Sequence, residues 1–158
     1  MKIKHAFRLK LFWWVGLILP WLMVSCGPSS KKPSAEVTSL GKVEVTARLS
    51  EILGKFPPNN LYDYAYVMKY RVLKTHRGMV EGEDIYVGHY NPLKPRARAA
   101  DKFSGKIGGN VDQFQVGQVH RMALDFPLDG CYMGGIIDKH IMEPGTRYWA
   151  MWTERARE

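Results

Sequence analysis

Four histidines and one cysteine in the body of this sequence have side chains that could do chemistry: His76, His89, His120, His140 and Cys131. Histidines that share a metal commonly sit three or four residues apart. The closest two here, His76 and His89, are 13 positions apart. Asp138 and His140 share one face of an extended segment and could meet His120 across a sheet, which the sequence permits without indicating. Neither a metal nor a cofactor is expected. Cys131 beside His120 would give the nucleophile and base of a small hydrolase or transferase. Cys131 lies in a GCYMGG turn without a catalytic signature, and no G-x-S-x-G elbow occurs. The leading expectation for Cys131 is a buried, inert thiol.

Two other residue types are concentrated. Lys94, Arg96, Arg98, Lys102 and Lys106 face one acid, Asp101. Lys94, Arg98 and Lys102 recur every fourth residue, so on a helix they form one stripe suited to lipid headgroups, phosphates or acidic glycans. All eight tyrosines lie beyond residue 60, with Tyr62, Tyr64, Tyr66 and Tyr70 close together. On an open barrel face Tyr62, Tyr64 and Tyr66 would stack against sugars or peptides; on the inner face they would be core. Trp149 and Trp152 are predicted on opposite faces of the last strand, which leaves one as an aromatic contact candidate.

The elements that must position these groups are mostly strands. Val43, Val45, Ala47 and Leu49 alternate with Glu44, Thr46, Arg48 and Ser50, the period of a half-buried strand. GKFPPNN breaks it. The run from Leu61 to Gly78 is a long Tyr-rich strand that invites a bend or bulge, and DIYVGHY is a third strand. A short helix is predicted from Pro95 to Phe103, followed by a GKIGGN loop. That loop lacks the Gly-Lys-Ser/Thr end of a phosphate loop. Gln118 to Phe126 is a fourth strand, Gly135 to Met142 is extended, and Arg147 to Thr153 is the last strand.

The first 26 residues read differently. Lys2, Lys4, Arg8 and Lys10 precede 15 uncharged residues, Leu11 to Ser25, which is short for a membrane-spanning helix and right for an export signal. The segment ends in Met-Val-Ser-Cys, Met23 to Cys26, and resembles the lipobox of bacterial lipoproteins. The resemblance implies cleavage before Cys26 and its acylation by two or three chains, enough for stable membrane anchoring. Met23 departs from the Leu usual in that family. Gly27 follows, where Asp would signal inner-membrane retention, so the outer membrane of a Gram-negative envelope is the expected location.

Removing the signal leaves 19 basic against 15 acidic side chains, a net charge of +4. That is an ordinary solubility charge, and no nucleic-acid partner is expected. With Cys26 acylated, Cys131 has no partner for a disulfide, so the fold must rest on its core. The expected organisation is a signal at 1–26, a flexible tether at 27–41, a β-domain at 42–153 and a charged tail at 154–158. The tether would span roughly 20 Å.

The order strand, long strand, strand, short helix, strand, strand resembles the OB-fold barrel. VEVTARLSEI and YVMKYRVLKTHRG are similar in texture to the netrin-like domains of tissue metalloproteinase inhibitors. The resemblance implies a mainly β, five- to six-stranded OB-like barrel with one short helix between the third and fourth strands. It does not imply inhibition, because those inhibitors chelate zinc through an unmodified N-terminal Cys and are cross-linked by disulfides. The expected role is a non-catalytic envelope module that binds an acidic glycan, a lipid headgroup or an envelope protein. The alternatives are the His120–Cys131 enzyme and a structural accessory of a polysaccharide-export or secretion assembly.

Overall fold

The computed structural model describes residues 32–60 and 62–156. The signal, Cys26 and the last two residues of the charged tail lie outside them. Seven strands carry the architecture: β1 (Val43–Glu51), β2 (Tyr64–Arg77), β3 (Asp84–Tyr90), β4 (Gly108–Gly109), β5 (Val119–Asp125), β6 (Gly135–Ile137) and β7 (Arg147–Arg155). Pairing runs β1-β5-β7-β3-β2, and β2 returns to β1. The result is a closed five-stranded barrel of the OB-like kind, with β4 and β6 added outside it. β3 and β7 are parallel, while the other barrel contacts are antiparallel.

Closure depends on the long second strand. One half of β2 pairs with β3 and the other reaches back to β1, where three register shifts break the ladder. Each shift adds local twist, so the strand curls instead of continuing flat. The bend expected from its length is present.

The barrel interior is filled by the inward residues of the alternating strands: Val43, Val45, Ala47 and Leu49 from β1, Tyr64, Tyr66, Met68 and Tyr70 from β2, and Met122 and Leu124 from β5. A second apolar layer lies outside, where Ala65 and Val67 meet Tyr90, Leu128, Tyr132 and Trp149. β2 is therefore buried on both faces along its first half.

Several local expectations change. The tether stops short of Gly41, because Ala35–Ser39 forms a helical turn, α1, against β5 and β7. Ser34 caps it by accepting from Val37 N, and Val37 is buried. The predicted helix from Pro95 to Phe103 contracts to one 3₁₀ turn, Arg96–Arg98. Asp101 Oδ1 starts a separate turn by accepting from the Phe103 and Ser104 amides. The GKIGGN loop contains β4, since only glycine permits its approach to β7. A Cβ on Gly109, at φ +132°, would stand 1.8 Å from the Thr153 carbonyl oxygen. Only the first three residues of the Gly135–Met142 segment are strand, and they pair parallel with β2. β7 runs to Arg155, into the expected tail, because Glu154 and Arg155 pair with Arg121 and His120 of β5, and Arg155 N also donates to Asn110 Oδ1.

Candidate functional site

At one end of the barrel three strands converge on a wholly buried polar chain. Tyr70 of β2 places its hydroxyl 3.0 Å from His89 Nε2 of β3 and 3.2 Å from His120 Nδ1 of β5. His120 Nε2 lies 3.1 Å from Gln118 Oε1, which only accepts. His120 therefore carries its proton on Nε2, and its Nδ1 accepts from the Tyr70 hydroxyl. The tyrosine oxygen in turn accepts from His89 Nε2–H. His89 Nδ1 is left as a lone pair with no partner among the described residues. Burial holds both rings neutral, lowering His120 to about 4 and His89 well below its ordinary value. Burial also raises the Tyr70 hydroxyl.

Phe114 packs edge-on to His120, and its ring lies 5.2 Å from the Arg96 guanidinium carbon. Arg96 is 2% exposed. Its guanidinium donates to the carbonyls of Tyr90 at 2.7 Å, Asn91 at 2.6 Å and Lys94 at 2.8 Å. Burial lowers it to about 10, so it is cationic at neutral pH. Its charge pins the Asn91–Pro92 turn, where Asn91 has a left-handed φ of 41°. Asn91 is fixed further by Nδ2 donation to Asp63 at 2.7 Å.

Above this chain opens a cleft of about 490 Å³. Asn110, Gln113, Gln115 and Gln118 supply amides to its wall, Asp112 a carboxylate, and Arg98 and Arg155 guanidiniums, over an apolar floor of Leu93, Pro95 and Val111. Gln118 belongs to both the cleft and the buried chain. Its Oε1 accepts from His120 and from Gln115 N, while its Nε2 donates to Gln115 Oε1 at 3.3 Å. The Gln115 amide thus fixes which way the Gln118 amide faces, and through it the proton order of the buried histidine and tyrosine. Paired amides and guanidiniums over an apolar floor can bind hydroxyls and carboxylates of a polar ligand in fixed orientation.

The residues singled out from the sequence scatter. Of the basic group, only Arg98 lines this cleft. Lys94 pairs with Asp63 at 3.6 Å, Arg96 is internal, and Lys102 lies 4.7 Å from the Phe103 ring centroid. Lys106 borders the groove at α1. The four-residue stripe does not form, because the helix that would align it ends at Arg98. Tyr64 and Tyr66 are core, and their hydroxyls donate to the Pro57 and Leu53 carbonyls, tying down the loop after β1. Tyr62 alone of the three contact candidates reaches solvent, at 52% exposure.

Trp149 and Trp152 do not divide between inside and outside. A bulge in β7 opposite Ala123 and Leu124 inserts one residue between them. Trp149 stacks on Tyr132 in the outer layer, and Trp152 lies over Gly108 and donates to Glu154 Oε1.

Cys131 is exposed, not buried, at the end of the turn α2 (Leu128–Cys131). It borders Asp125, at the far end of β5 from His120. Five residue steps along the strand place Asp125 ~17 Å from His120, so Cys131 and His120 do not meet. Partial desolvation of its sulfur, with the Asp125 carboxylate nearby, raises the Cys131 thiol, which keeps it protonated at neutral pH. His140 does not join His120 either. Its Nδ1 lies 2.7 Å from Glu143 Oε1, and Glu143 also accepts from Lys69 at 2.8 Å and Tyr86 at 2.6 Å. These three donors, Lys69 foremost, hold Glu143 at about 2. Among the described residues no cluster of three His, Cys, Asp or Glu could hold a metal.

No sequence motif marks the cleft amides, although GGNVDQFQVGQ carries four of them in eleven residues. Comparison with protein families, curated proteins and solved structures returns no match for this chain.

Proposed function

We propose that the chain is a lipid-anchored protein of the cell envelope, held through an acylated Cys26, and that its barrel is a non-catalytic module binding an acidic glycan. The observation that carries the ligand class is the cleft wall. Asn110, Gln113, Gln115 and Gln118 suit sugar hydroxyls, and Arg98 and Arg155 suit carboxylates. Gln118 is oriented in advance by the Gln115 amide, which lowers the ordering cost of binding.

Several features favour binding over catalysis. His120 and His89 are buried beneath the wall, the Cys131 thiol stays protonated, and among the described residues no histidine is found beside it. The netrin-like resemblance is carried to architecture alone. The basic n-region, the 15-residue uncharged run and the Met-Val-Ser-Cys ending support the anchor, and Gly27 supports the outer membrane. Titration of the mature protein with acidic and neutral oligosaccharides of equal length, read at the cleft residues, tests this function.

A further inference from the structure

The described chain begins at Lys32 and is fixed to the barrel almost at once. Ser34 N donates to Glu154 Oε2 at 3.3 Å, and Val37 of α1 is fully buried. Six peptide steps separate Cys26 from Lys32. Whatever their conformation they reach at most ~21 Å, less than the roughly 30 Å width of a domain of this length. The only charges in the segment that leads to α1 are Lys31 and Lys32. An anchor at Cys26 therefore brings the α1 side of the barrel to the headgroups.

From that side a run of linked grooves leads to two highly exposed apolar groups. A groove between α1 and Lys106, Ile107 and Trp152 shares Lys106 with the next groove, at Cys131. The latter shares Cys131 with a third groove, bounded by Phe103, Tyr132 and Met133. Phe103 is 75% exposed and Met133 98%. Lys102 overlies the Phe103 ring, and Lys106 lines the two neighbouring grooves, so ammonium groups flank the apolar tips. Most acids of this face are already engaged. Asp101 accepts from the Tyr90 hydroxyl and two amides, and Asp125 pairs with Lys42 at 2.9 Å. Asp63 of the third groove pairs with Lys94 at 3.6 Å, and Glu154 accepts from Ser34 N and Trp152 Nε1. Glu36 and Asp129 are further acids here. Aromatic and thioether tips flanked by lysines suit the boundary of headgroups and acyl chains in an anionic bilayer.

We infer that Phe103 and Met133, flanked by Lys102 and Lys106, seat the domain on the anionic membrane that holds Cys26. The contact rests on the acylation proposed above. It gives the short leash a function, because two attachments fix the orientation of the barrel where one would leave it to swivel.

The test uses mature protein carrying Cys131→Ser, reconstituted in vesicles of three parts phosphatidylethanolamine to one part phosphatidylglycerol. An environment-sensitive fluorophore is placed at Phe103→Cys or, for comparison, at Met79→Cys, which lines none of the three grooves. The acyl mass at Cys26 is measured on the same samples. With the acyl mass present, the probe at 103 should shift to the blue and be quenched several-fold more by lipid-borne nitroxide than the probe at 79. Lys102→Gln with Lys106→Gln should reduce that quenching, and raising salt should do the same. An acylated protein whose probe at 103 stays in water overturns the contact and leaves the anchor standing. A blue shift without lipid quenching assigns the face to a protein and likewise overturns it. A missing acyl mass overturns both the anchor and the contact.

Discussion

The Tyr70 hydroxyl lies 3.2 Å from His120 Nδ1 inside the barrel, where it can donate only one hydrogen bond. Its proton goes to His120, because the other nitrogen of that ring faces the acceptor oxygen of Gln118. Gln118, whose oxygen also accepts from the Gln115 amide, thereby sets a histidine tautomer on β5 and, through it, the direction in which a buried tyrosine on β2 donates.

Removing that hydroxyl should therefore cost more than one hydrogen bond. Tyr70→Phe leaves His89 Nε2–H and His120 Nδ1 buried without partners. The expected loss is ~1–3 kcal/mol of unfolding free energy. It should appear as a lower denaturant midpoint with an unchanged slope.

The buried rings also set an acid limit. The folded-state values of His120, about 4, and of His89, lower still, lie below the ordinary histidine value of 6.5. The unfolded chain therefore binds protons that the native state refuses. Stability is full above about pH 6.5 and falls as pH drops below it. For His120 the fall ends near pH 4, and for His89 it continues further. Each ring contributes a slope of up to ~1.4 kcal/mol per pH unit. Unfolding free energies measured from pH 7 to 5 should show this slope, and His120→Gln should remove about one ring's share. A flat profile in the parent protein would mean that the rings titrate normally.

Arg96 is a different kind of support. Its fork satisfies three carbonyls of one turn, so a point charge cannot replace it. Arg96→Lys should lower the unfolding free energy by ~2 kcal/mol or more, and Arg96→Ala by more again. Thermal unfolding of both variants checks the order. Equal melting temperatures for Lys and the parent would show that charge alone suffices.

The strands were legible because alternation survives in the residue types. Val43 to Leu49 and Tyr64 to Tyr70 mark alternating faces without a structure, although residue type alone leaves Tyr64 and Tyr66 open between core and a contact surface. Arg96 was not legible, since an arginine between two others reads as solvated surface. Its burial depends on the carbonyls of Tyr90 and Asn91, which only the folded turn presents. The one-residue bulge in β7 likewise left no mark in Trp149 to Thr153, yet it changed the side to which Trp152 points. The cleft joins residues 93–98, 110–118 and 155, a grouping that sequence distance conceals.

The anchor stands apart from the barrel and is checked separately. Cys26→Ala should abolish acyl labelling and leave uncleaved precursor or soluble protein in the envelope fraction. Retention of palmitate by the variant at the mature size would remove the basis for anchoring.

The binding claim is tested most directly by nuclear magnetic resonance titration of the mature protein with a uronic-acid oligosaccharide and a neutral one of equal length. Shifts should concentrate at the side-chain amides of Asn110, Gln113, Gln115 and Gln118, for the acidic ligand far more than for the neutral. Arg98→Gln should weaken binding about tenfold or more, and salt should weaken it further. No shifts at these amides, or equal affinity in Arg98→Gln, would contradict the assignment of the cleft to an acidic glycan.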